Sequence, residues 1–142
     1  MSSTVVPESL EVFLGAMQTR DPESLTRSLE GMSEDVTLNS PIVAKAFEGK
    51  PQVGQVLKAF LSIVDSFTIK DTLSSETGSF AVLVAIRSGD TEIGGVYYAT
   101  FTKEGQIQAM TIQWRALAEI VYMQNKIAPL IGGQALVLVP KV

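Results

Sequence analysis

The 142-residue chain contains no cysteine and no histidine. Without cysteine it has no disulfide, no thiolate nucleophile, no iron–sulfur cluster and no cysteine-ligated zinc. Histidine is the commonest general acid/base and the commonest metal ligand. Its absence rules out Ser-His-Asp triads, HExxH metalloprotease chemistry and the two-His facial triad. No cofactor and no metal are expected, and any proton transfer would fall to Asp, Glu, Tyr or Lys with shifted pKa values.

Long apolar runs are missing too. The longest, Ala81–Ile86 and Ala135–Val139, are far too short to span a bilayer. The opening MSSTVVPESLEVF has no basic n-region and does not read as a signal peptide, so a cytoplasmic location is expected. Basic residues are outnumbered 11 to 15, for a net charge of −4. That balance repels phosphate backbones and anionic lipid, so neither nucleic acid nor membrane is expected as a partner.

What is present describes a folded domain. Hydrophobic residues make up 46% and charged residues 18%, a globular composition. The length fits one domain over 1–142, with a core at about 8–128 and a tail over 129–142 that includes a short strand. No repeat, low-complexity tract or linker interrupts it.

Helical periodicity comes first. Leu10, Phe13, Leu14 and Met17 fall at i, i+3, i+4 and i+7. Asp21-Pro22-Glu23 signals a second helix start, with Leu25, Leu29 and Met32 as its apolar side and Gly31 as a stop. Val36–Ser40 alternates as a strand and ends at Pro41. A third helix opens at Gly49-Lys50-Pro51, with a stripe of Val53, Leu57, Phe60, Leu61 and Val64. Gly54 inside it costs about 1 kcal/mol against alanine, which points to close packing.

From Phe67 the period becomes two. Short turns at Glu76-Thr77-Gly78, Ser88-Gly89-Asp90 and Lys103-Glu104-Gly105 separate four strands, which should pair as an antiparallel meander. Gly94-Gly95 suggests a bulge or bend. A last helix over Ala116–Ala128 carries Leu117, Ile120, Val121 and Ile127, and Pro129 and Gly132-Gly133 end it. The segment Ala135–Val139 reads as a strand that pairs with a sheet edge.

Helices followed by a meander predict an α+β fold, with N-terminal helices packed in the concave face of a strongly bent antiparallel sheet. The strand Phe80–Ile86, FAVLVAI, is apolar on both parities, so both sheet faces should be covered. A second copy of the sheet would cover the outer one, which predicts a homodimer through the sheet face. The alternative is a C-terminal segment folded over that face in a monomer.

The stretches VTLNSPIVAKAFEGKPQVGQVLKAF and VYYATFTKEGQIQAMTIQWRAL resemble the SnoaL-like branch of the nuclear transport factor 2 superfamily, to which ketosteroid isomerases and limonene epoxide hydrolases belong. The resemblance covers about residues 8–125. It implies a cone-shaped cystatin-like fold that hosts enzymes, binding modules and transport adaptors alike.

Residue by residue, the resemblance removes chemistry. Ser40, before Pro41, stands where the isomerases carry their Asp base, and a hydroxyl cannot replace that carboxylate. Phe13 stands where they carry a Tyr donor. Tyr97 matches the second donor and can still give a hydrogen bond. Trp114 matches the pocket aromatic of the last strand. The Asp-Arg-Asp set of the epoxide hydrolases fails at Ile112, although Arg87 has a matching strand position. The His or Asp acid/base of the polyketide cyclases has no counterpart.

The sequence therefore points to an apolar pocket lined by Phe13, Met17, Ser40, Phe60, Tyr97 and Trp114, which binds a small hydrophobic metabolite, for instance one with a carbonyl. The enzymatic alternative is an isomerase, cyclase or hydrolase that uses a pocket carboxylate. Asp71 is its candidate, because it shares the parity of Phe67, Ile69 and Leu73; Tyr97 is the other catalytic candidate. A twist or bulge that turns Asp71 to solvent would remove the first. A third reading is a protein-interaction module. The Tyr122–Lys126 YxxxK and the Phe47–Pro51 segment lack the context of a dehydrogenase site or a phosphate loop.

Overall fold

The computed structural model describes residues 5–133, and the C-terminal strand expected at Ala135–Val139 lies outside the described residues. The order of elements is α1 (Glu8–Thr19), α2 (Pro22–Glu30), β1 (Met32–Asn39), β2 (Phe47–Glu48), α3 (Lys50–Ile63), β3 (Ser66–Ser74), β4 (Phe80–Ser88), β5 (Thr91–Phe101), β6 (Ile107–Arg115) and α4 (Leu117–Ile127), followed by a 3₁₀ turn at Ala128–Ile131.

The six strands form one sheet in the order β2-β1-β6-β5-β4-β3. The expected α+β architecture is there. One feature departs from it: β1 runs parallel to β6, with Leu38 opposite Met110, so the sheet is mixed. The meander β3–β6 is antiparallel throughout. Its turns rest on glycines at positive φ, among them Gly78 at 90° and Gly105 at 86°, where a side chain would be strained.

The helical stripes bury as their spacing predicts. Leu10, Phe13, Leu14 and Met17 of α1 lie in the core, as do Val53, Leu57, Phe60 and Leu61 of α3. They meet the inner row of the meander, which includes Val82, Val84, Ile86, Ile93, Tyr97 and Met110. Each such side chain contributes about 1.5–3 kcal/mol when fully buried.

Three local expectations are corrected. Met32 belongs to β1, not to α2, because the chain turns extended directly after Gly31. Gly94-Gly95 makes no bulge: both residues keep regular pairing with β4 and β6. The buried face of α4 is Met123, Gln124 and Ile127, while Leu117 is 64% exposed. Gly54 does mark close packing, since a Cβ there would stand 2.9 Å from Leu29 Cδ1. No helix among the described residues is long and apolar enough to cross a membrane.

Candidate functional site

The concave face of the sheet narrows to a cleft under α3 and α4. It is lined by Leu38, Ser40, Pro41, Ile42, Val56, Leu57, Phe60, Tyr97, Ile112, Trp114 and Ile127. Four of the six expected lining residues, Ser40, Phe60, Tyr97 and Trp114, come together there. Phe13 and Met17 do not: both are wholly buried behind the cleft. Phe13 packs against Tyr97, with ring centroids 6.2 Å apart.

The cleft is also much smaller than a ligand-sized pocket. Its free volume is about 20 Å³, room for about one water molecule. Side chains fill the space. The Phe60 and Trp114 rings lie 5.8 Å apart at 30°, and Phe67 meets Tyr97 edge-on at 5.4 Å.

The polar groups in this apolar setting are few. Ser40, just past β1, accepts a hydrogen bond from the Ile42 N–H at 3.2 Å. Tyr97 projects inward from the middle of β5 and is 1% exposed. Burial pushes its phenol above the ordinary value, and the neighbouring Trp114 offsets part of that rise. The Trp114 N–H nevertheless finds no acceptor in hydrogen-bonding geometry, although it is buried. An unmet buried donor costs about 1–3 kcal/mol.

Gln124 is the site residue that sequence reasoning missed. It lies on α4 and is 8% exposed. Its Nε2 donates to the Ile42 carbonyl at 2.8 Å, which pins the segment after β1 to the helix that closes the cleft. Its Oε1 has no partner. The signal was there as a polar residue flanked by the buried Met123 and Ile127, but the spacing of Leu117, Ile120 and Val121 outweighed it.

Asp71 is not part of the site. The register of β3 against β4 shifts between Ile69 and Asp71. The bulge reverses the side-chain alternation, so Asp71 pairs with Leu83 of the outer row instead of Val82 of the inner one. It is exposed, and its Oδ1 accepts from the Thr72 N–H at 2.8 Å. The same bulge leaves Leu73 52% exposed. No Asp, Glu, Lys or Arg lines the cleft. Among the described residues no group of three or more acidic side chains is placed to hold a metal ion. Arg115 makes no ion pair with Glu119; the pairs among the described residues are Lys50–Glu34 and Arg87–Glu92.

A helix-backed curved sheet with this strand order has close structural neighbours. A steroid delta-isomerase from Pseudomonas aeruginosa superposes with a TM-score of 0.80 at 21% identity, covering 88% of this chain and 90% of that one. A protein with a cystatin-like fold from Silicibacter pomeroyi gives 0.78 at 17% identity, covering 88% and 85%. SalBIII, an epoxide hydrolase/cyclase-like enzyme of pyran ring formation in salinomycin, gives 0.65 at 19%, covering 76% and 88%. The chain has a cystatin-like fold, shared with NTF2-like proteins of known structure. No family model and no curated protein matches the sequence. At these identities the likeness carries the fold, and the function has to come from the site.

Proposed function

We propose that the chain binds a small apolar carbonyl compound in the cone, between Trp114, Tyr97 and Phe60. The observation that carries this reading is the buried, unpartnered Trp114 N–H beside the Tyr97 hydroxyl. Two donors in an otherwise apolar cleft suit a single carbonyl oxygen, which accepts through two lone pairs and carries no proton. Structural likeness to a steroid delta-isomerase agrees with an apolar ligand of this kind. The lining offers no carboxylate to move a proton, which favours binding over turnover.

A volume of about 20 Å³ means that the ligand enters an opened form. The movable wall is α4 with the segment around Ile42, held by the Gln124–Ile42 hydrogen bond. Binding then selects the open population, and its apparent affinity is lowered by the rarity of that state.

Trp114 is the single tryptophan, so its emission reports on the site directly. Titration with a cyclic ketone should give a saturable change in emission and a rise in melting temperature. Tyr97→Phe should weaken binding about 2–10-fold, the worth of one neutral hydrogen bond, and Asp71→Asn should leave it unchanged. A panel of ketones that gives no saturable response, or matching hydrocarbons that bind equally well, would sink the proposal.

We further propose that the outer sheet face is covered by a second copy of the chain. Ala81, Leu83, Ala85 and Val96 form a half-buried outer row there, with Tyr98 42% exposed beside it. That row suits an isologous contact, in which one patch meets itself.

A further inference from the structure

A groove of ligand size lies outside the cone, between α2 and α3. Its volume is about 370 Å³, and it is lined by Arg20, Pro22, Leu25, Thr26, Leu29, Gly54, Lys58, Leu61 and Ser62. That volume falls within the range of about 300–1,000 Å³ typical of small-molecule sites. Its floor is aliphatic, from Leu25, Leu29 and Leu61. Gly54 contributes no side chain, which lets Leu29 lie against the α3 backbone.

The rim is cationic in an acidic protein. Arg20 and Lys58 both border the cleft, and none of the 15 acidic residues lines it. Neither cation forms an ion pair among the described residues. Arg20 is also held in place. Its Nη1 donates to the Val64 carbonyl at 2.9 Å, and its backbone adopts the left-handed conformation at φ 60° that closes α1. Glycine fills such helix-ending positions without strain, whereas a non-glycine residue there costs about 1–3 kcal/mol. Arginine at this position places a fixed guanidinium on the rim.

We propose that this groove is a second binding site, for a small amphipathic carboxylate whose chain lies on Leu25, Leu29 and Leu61 and whose head group meets Arg20 and Lys58. A guanidinium suits a carboxylate because its planar fork matches the two oxygens. The site is independent of the cone and stands or falls without it.

Decanoate, kept well below its micelle-forming concentration, is the probe, followed by calorimetry and amide chemical shifts on the full chain. We expect one saturable site with shifts confined to α2 and α3, and an unchanged Trp114 emission. Decanol should bind at least tenfold more weakly, and added salt should weaken decanoate. Lys58→Glu, a change at an exposed position, should lower affinity about tenfold or more. Ser62→Trp should block the groove; if that variant misfolds, the lysine variant decides alone. Equal affinity for decanol, no loss in Lys58→Glu, no binding at all, or shifts centred on Tyr97 and Trp114 would each overturn the proposal.

Discussion

Gly95 and Trp114 lie opposite each other on β5 and β6, so close that a Cβ on Gly95 would stand 2.8 Å from Trp114 Cδ1 and 3.1 Å from the Gln113 carbonyl oxygen. The missing side chain gives the indole its place beside Phe60 at the cleft.

Gly95→Ala should therefore destabilise the protein by about 1–3 kcal/mol, the usual range for overpacking. Trp114 emission should shift to the red as the ring is pushed toward water. Gly94→Ala is the control: its Cβ would meet only Arg115 Cγ at 3.9 Å. Urea denaturation of both variants checks this, and equal stability of the two would contradict the packing argument.

The buried phenol of Tyr97 makes stability depend on alkaline pH. Its folded pKa is raised above the 10.0 of an exposed tyrosine, chiefly by desolvation. Above pH 10 the unfolded chain gives up this proton while the folded one keeps it, so the unfolded state binds fewer protons and stability falls as pH rises. The contribution of Tyr97 is whole below pH 10 and is lost as pH climbs toward the folded value. The slope approaches about 1.4 kcal/mol per pH unit from this one group. Denaturation curves at pH 9 and pH 11 should show a steeper loss for the wild type than for Tyr97→Phe, and parallel losses would refute the assignment.

How much of this was legible in the sequence depends on the range of the interactions. The α1 and α3 stripes, the meander and its glycine turns are local patterns, and each formed where its spacing predicted. Ser40, Phe60, Tyr97 and Trp114 line one cleft because the fold brings the end of β1, α3, β5 and β6 together, and only the topology that the resemblance implied could group them in the sequence. The placement of Asp71 failed because one inserted residue reverses every later side chain of a strand, and nothing in Thr68-Ile69-Lys70-Asp71 marks that insertion. Phe13 and Met17 were expected to line the cleft because periodicity identifies an inward face without saying whether it meets space or another side chain. The parallel pairing of β1 with β6 joins residues some seventy positions apart, beyond the reach of any local pattern.

The outer face offers a test of assembly. Leu83 lies at its centre, paired with Val96 on one side and Asp71 on the other. A buried charge there would disrupt a two-fold contact twice over, once from each copy. Sedimentation velocity should find a dimer for the wild type and a monomer for Leu83→Glu with unchanged circular dichroism. A wild-type monomer, or a variant that remains dimeric, would remove the proposal.

The parallel pairing also orders the assembly of the fold in time. On a ribosome β1 emerges early, but apart from the two-residue β2 its strand partner is β6, the last strand among the described residues. Until residue 115 is available, one edge of β1 has nothing to bond with, and α1, α2 and α3 lack the sheet that buries their apolar stripes. Such long closures slow folding. During synthesis the nascent chain therefore carries an unsatisfied strand and three greasy helices, a natural substrate for a holding chaperone, and chains that stop short of β6 should aggregate instead of folding in part.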